Sequence, residues 1–120
     1  MNECLLGNGQ AVPLSAIPRL EFAEFRARIL ELAQREQRIA SLFGTGGDPL
    51  LLVAVMADDA SAKLSVFSTT VGRRYEALTP DCPQAHMFER EIAEQWGVIA
   101  DGHPWLRPAR FQPPFRPPEP

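Results

Sequence analysis

Leu50-Leu51-Leu52-Val53-Ala54-Val55-Met56-Ala57 is the longest uninterrupted apolar run in the chain, and its length limits what it can be. Eight residues cannot cross a bilayer as a helix, which needs about 20. A short, continuously apolar run bounded by turn signals instead suits a central strand covered on at least one face. Both boundaries are present. Gly44-Thr45-Gly46-Gly47-Asp48-Pro49 precedes the run and Asp58-Asp59-Ala60-Ser61 follows it, and both clusters are rich in turn-forming residues. The spacing predicts one strand before the run, from Gln37 to Phe43, and a returning strand after it, from Ala62 to Thr69.

Outside this β block the apolar period becomes helical. Between Arg19 and Gln37, the residues Phe22, Phe25, Ile29, Leu32 and Ala33 fall within one arc of about 100°. Pro18 suits the first turn of that helix, where an N–H has no intrahelical partner. Glu21, Glu24, Arg26, Arg28, Glu31 and Arg35 occupy mostly other angles and read as its solvated face. A second helix is predicted from Pro83 to about Trp96. Gly97 supplies its glycine stop, and Val98 the apolar residue folding back onto it. Between the β block and this helix, Gly72, Arg73 and Arg74 lead into Tyr75-Glu76-Ala77-Leu78-Thr79. Residues 1–18, with two Gly and two Pro, read as an irregular lead.

The result is a two-layer α+β fold. It has a small, largely antiparallel or mixed sheet, packed helices and an extended proline-rich C-terminal tail. Residues 1–110 form one domain and 111–120 the tail. A chain of 120 residues is enough for a single core without covalent staples.

Composition narrows the function. A formal charge of −3 gives no electrostatic footprint for nucleic acid or anionic lipid. The start Met1-Asn2-Glu3-Cys4 carries an acid where a signal peptide carries positive charge, so the chain reads as cytoplasmic, reaching a membrane only through partners. Cys4 and Cys82 are the only cysteines, and His86 and His103 the only histidines. Clusters and structural zinc need four ligands at paired spacings, so no metal site and no cofactor is expected. Gly44-Thr45-Gly46-Gly47 lacks the Lys-Ser/Thr of a phosphate loop.

The second helix carries the chemistry. With Phe88 at the origin of a wheel, Ile92 falls at about 40°, Ala85 at about 60° and Trp96 at about 80°. These make the core face, with Glu89 on its edge at about 100°. Arg90 and Glu94 point away and are spaced to pair at i,i+4. A carboxylate beside a Trp in a partly dry place needs a cationic or N–H partner, or a proton. His103, Arg107 and Arg110 are the candidates after Gly97. The expectation is that Glu89 pins the returning segment Gly102-His103-Pro104-Trp105-Leu106-Arg107 onto the helix.

Two sharper chemistries compete with this structural one. Glu89 or Glu91 with His103 is a sound acid–base pair in principle, but no nucleophile or metal motif surrounds it. A His86-x-x-Glu89 metal pair lacks a third ligand, and Glu89 turns inward.

The string Ala85-His86-Met87-Phe88-Glu89-Arg90-Glu91-Ile92, then Trp96-Gly97-Val98, then Gly102-His103-Pro104-Trp105-Leu106-Arg107-Pro108 resembles the signature of the 30 kDa subunit family of complex I. It is similar in particular to the component G, or N-terminal domain, of energy-converting nickel–iron hydrogenases of the formate hydrogenlyase type, which Leu78-Thr79-Pro80-Asp81-Cys82-Pro83 also resembles. There are departures from the pattern. Met87 stands where relatives often have Trp, Gln95-Trp96 replaces an acidic-hydrophobic-aromatic step, and Pro108 replaces a second Arg. The resemblance implies a non-catalytic assembly subunit that binds no cofactor. It would dock against the large catalytic subunit of a hydrogenase or NADH:quinone oxidoreductase-like complex, peripheral on the cytoplasmic side of the membrane. It maps the family motif onto Glu89, Arg90, Glu91, Gly97, Gly102, His103, Pro104, Leu106 and Arg107 as structural and interface positions. The alternative is a free-standing adaptor or regulatory domain of the same fold.

Seven of the twelve prolines lie between Pro104 and Pro120. As polyproline II at about 3.1 Å per residue, the last 17 residues would reach about 50 Å. Phe111, Phe115, Arg110 and Arg116 are residue types favoured as interface anchors, and the tail reads as a contact arm for the large subunit.

Overall fold

The computed structural model describes residues 4–7, 13–104 and 106. The apolar run forms the first eight residues of a nine-residue strand, β3 (Leu50–Asp58), flanked by β2 (Arg38–Gly46) and β4 (Lys63–Val71) in an antiparallel meander. A fourth strand, β1 (Cys4–Gly7), pairs antiparallel with β4, giving the order β1-β4-β3-β2. β1 corrects the reading of residues 1–18 as irregular throughout. Two leucines between Cys4 and Gly7 show no period, and the pairing partner lies about sixty residues away.

Both faces of the meander are covered at its centre, which explains why β3 is apolar without alternation. On one face Leu50, Leu52, Ala54 and Met56 pack with Phe67 and Val71 of β4 and with Ile39 and Leu42 of β2. Helix α1 (Phe22–Gln34) lays Phe25, Ile29 and Leu32 onto this face, with Phe22 and Ala33 alongside. Burying each such side chain is worth roughly 1.5–3 kcal/mol. On the opposite face Leu51, Val53 and Val66 form a smaller cluster with Ile17, Val55 and Leu64.

Pro18 does not open α1. The helix starts at Phe22, and the chain before it runs beside β4. There the Pro18 carbonyl accepts the Ser68 N–H at 2.9 Å and the Ser68 hydroxyl at 2.8 Å, and Leu20 N–H donates to the Ser68 carbonyl at 2.7 Å. Backbone pairing to a strand fifty residues away outcompetes a first-turn position that proline tolerates but does not dictate.

A second, two-stranded sheet pairs β5 (Arg74–Glu76) in parallel with β6 (Ile99–Asp101). The crossover between them is a 3-10 turn at Pro83–Ala85 followed by α2 (His86–Trp96). Parallel neighbours need such a connection. Gly97 ends α2 at φ 68°, with its N–H on the Ala93 carbonyl, and Val98 behind it is fully buried. This is the glycine stop that the sequence predicts, and the fold is α+β as expected.

Candidate interface built on the second helix

Helix α2 buries Glu89, Ile92 and Gln95, with Ala85 just ahead of it, while Phe88 and Trp96 pack partly exposed against the core. Glu89 sits deeper than the edge position the wheel assigns it. Its exposure is 0%, so the carboxylate must be fully satisfied within the protein.

Its partners lie ahead of the helix. Leu78 N–H donates to Glu89 Oε2 at 2.9 Å, Thr79 N–H donates to Oε1 at 3.0 Å, and the Thr79 hydroxyl donates to the same oxygen at 2.6 Å. The clamp expected on the returning segment is therefore found on the turn leading into α2. A turn offers two consecutive unpaired backbone N–H groups, and the carboxylate accepts both. His103 is not among these donors, and Arg107 and Arg110 lie outside the described residues.

Arg26 of α1 reaches the same turn from elsewhere in the fold. Its Nη2 donates to the Ala77 carbonyl at 2.8 Å and to Asp81 Oδ2 at 2.7 Å. The Ala77–Asp81 turn is thus held by a cation from α1 and an anion from α2. Helical periodicity places Arg26 on a solvated face and gives Thr79 no role. The sequence does carry one signal for this contact: two buriable polar residues, Thr79 and Glu89, flank the start of an amphipathic helix.

Tyr75 of β5 lies close to this carboxylate. Its ring packs on Phe22 at 5.7 Å, and its buried hydroxyl has no hydrogen-bond partner among the described residues. Burial pushes its pKa well above the ordinary phenol value, and the neighbouring charge of Glu89 pushes it further. The Cys82 thiol is free, buried and likewise raised by burial.

The bend after β6 does fold across α2, at the helix's first residue. His103 Nε2 lies 3.2 Å from the His86 carbonyl, and the two imidazoles stand 5.0 Å apart. Gly102 turns the chain at φ 90°, Pro104 is exposed, and Leu106 packs against the core. Arg90 is partly exposed on the outer side of α2, its Nη1 3.5 Å from the sulfur of the exposed Met87, and Glu91 is partly exposed beside Leu42, Phe43 and Gly44 of β2. Arg107 is outside the described residues.

The motif is therefore divided by depth. Glu89, Gly97 and Leu106 serve the interior, whereas Arg90, Glu91, Gly102 and Pro104 reach the surface. Glu89 is committed to the Leu78–Thr79 turn and forms neither the acid–base pair with His103 nor the metal pair with His86. Among the described residues no group of three or more His, Cys, Asp or Glu is disposed to hold a metal ion.

A comparison with curated proteins finds no match. The family model for the respiratory-chain NADH dehydrogenase 30 kDa subunit matches residues 33–118. That span takes in the meander, the clamped turn, α2 and the bend behind it, and the chain belongs to the family of the respiratory-chain NADH dehydrogenase 30 kDa subunit.

Proposed function

We propose that this domain is a non-catalytic assembly subunit of a membrane-bound electron-transfer complex, either an energy-converting nickel–iron hydrogenase or an NADH:quinone oxidoreductase. It docks there against the large catalytic subunit. The observation that carries the reading is the state of the motif's buried carboxylate, whose oxygens take three donors from its own chain. A carboxylate so engaged and fully buried shapes a surface and exposes no oxygen to a substrate. The family match supports membership in such a complex. The hydrogenase branch is favoured by Leu78-Thr79-Pro80-Asp81-Cys82-Pro83, the turn that Arg26 and Glu89 hold.

In this reading Arg90 and Met87 on the outer side of α2, with Glu91 beside β2 and Pro104 of the bend, contribute to the docking face. The proline-rich segment beyond Arg110 is the arm that grips the partner. Attachment to the membrane runs through partner subunits on the cytoplasmic side. No helix among the described residues is long and apolar enough to cross a membrane.

Affinity purification of the tagged chain from detergent-solubilised native membranes tests this. Recovery of a nickel–iron large subunit at equal stoichiometry is expected. Recovery of flavin-bearing NADH dehydrogenase subunits instead moves the assignment to the complex I branch, and recovery of neither leaves the adaptor reading. A truncation after Arg110 that still retains the large subunit at full yield removes the arm from the proposal.

A further inference from the structure

Among the described residues, β2 is an edge strand of the four-stranded sheet. Edges of this length offer unpaired N–H and C=O groups to any second strand, and soluble proteins guard them. At the start of β2 the guard is a side chain. Ile39 N–H donates to Gln84 Oε1 at 2.6 Å, and Gln84 Nε2 donates to the Gln37 carbonyl at 3.4 Å. The two backbone groups belong to residues i and i+2, the pair that a single residue of a parallel neighbouring strand would engage. The Gln84 carboxamide, carried in from the 3-10 turn ahead of α2, thus stands where a strand's peptide group would stand.

Two further features coincide with it. The β2–β3 register shifts between Ile39 and Ser41, a bulge of the kind that spoils an edge for pairing. Farther along, α2 lies beside β2, with Glu91, Gln95 and Trp96 lining a groove against Leu42, Phe43 and Gly44. The stretch Gln37–Ser41 is therefore the part of the edge guarded by Gln84 together with the adjoining bulge.

We propose that Gln84 is an edge guard. By occupying the Gln37 carbonyl and the Ile39 N–H, it prevents β2 from pairing with β2 of a second copy, and so keeps the free domain monomeric. The guard works because its reach is fixed at both ends, by β2 on one side and by the Pro83–Ala85 turn on the other.

The test uses Gln84→Ala and Gln84→Leu, with Gln84→Glu as the conservative control, since its carboxylate still accepts from Ile39 N–H. Hydrogen exchange of the full-length chain should show the Ile39 amide exchanging about tenfold faster in the Ala and Leu variants. Sedimentation velocity under reducing conditions should show both shifting toward a dimer as concentration rises, while wild type and Gln84→Glu stay monomeric. Unchanged exchange at Ile39 in both variants would overturn the proposal. So would a freed Ile39 amide with both variants monomeric across the concentration range, or a wild-type dimer paired through β2. Gln84→Leu keeps the side chain's bulk, so it separates loss of hydrogen bonding from loss of packing if Gln84→Ala folds poorly.

Discussion

Replacing Glu89 by Gln changes a few atoms in the interior and should be felt throughout the domain. The carboxamide oxygen can take the Oε1 position, where it still accepts from Thr79 N–H at 3.0 Å and from the Thr79 hydroxyl at 2.6 Å. The amide nitrogen must then face Leu78 N–H, which now lies 2.9 Å from an acceptor. Donor would meet donor in a site with no solvent exposure. Leaving a buried donor unsatisfied costs about 1–3 kcal/mol, and hydrogen bonds to a charged acceptor are worth about 1.5–3 kcal/mol each. Relief from burying a full charge offsets part of that. The net loss is about 2 kcal/mol, which at about 4 °C per kcal/mol lowers Tm by about 8 °C in a domain of this size. Urea titration gives the free energy, and hydrogen exchange gives the location: the Leu78 and Thr79 amides should lose protection before the β3 amides do. Thr79→Val removes only the hydroxyl, and in a cycle with Glu89→Gln the two changes should couple by more than about 0.5 kcal/mol. If Glu89→Gln stays within about 0.5 kcal/mol of wild type and the Leu78 amide keeps its protection, the account of the turn as clamped by this carboxylate is wrong.

Further outcomes follow from the same geometry. Tyr75→Phe should stay within about 1 kcal/mol of wild type, because it deletes a buried hydroxyl that has no close hydrogen-bond partner among the described residues and only the nearby Glu89 carboxylate to interact with. It should also flatten the alkaline limb of the stability curve. The folded-state pKa of Tyr75 is raised, so above about pH 10 the unfolded chain sheds the proton first. Stability then falls with rising pH, by about 1.4 kcal/mol per pH unit in wild type and not from this residue in the variant. Gly97→Ala, at φ 68°, should cost about 1 kcal/mol in a thermal melt, the penalty for a Cβ in the left-handed region. Arg26→Ala should cost about 1–2 kcal/mol by urea titration, mainly through the Ala77 carbonyl it leaves behind, since the Asp81 end of the pair is exposed and screened.

Legibility in the sequence divides by the range of the interaction that decides each element. The meander is legible because each strand is bounded by its own turn residues, and because β3 is apolar on both faces, a pattern visible without knowing its neighbours. Both helices are legible through Phe25, Ile29, Leu32 and Ile92. Gly97 announces a helix end that it then makes at positive φ. The elements that escape sequence reading are all decided at long range. β1 has no periodicity of its own and exists through β4. Pro18 fits a helix start by local rules but is held by Ser68. At the site, the wheel shows that Glu89 needs partners near the core but not on which side the donors lie. The backbone N–H groups of Leu78 and Thr79 carry no side-chain signature, whereas His103, Arg107 and Arg110 do. β6 is three residues long and takes its identity from β5.

The order of strands in the larger sheet has a consequence for how the chain matures during synthesis. β1 is made before the other described strands, yet its partner β4 is translated about sixty residues later. The β2–β3–β4 hairpins close over short turns and can form as they appear, so the first-made strand is the last of the four to be seated. Until then the flank of β4 stays open, and a nascent domain stalled before Val71 would present two unsealed borders where the finished one presents β1 and β2.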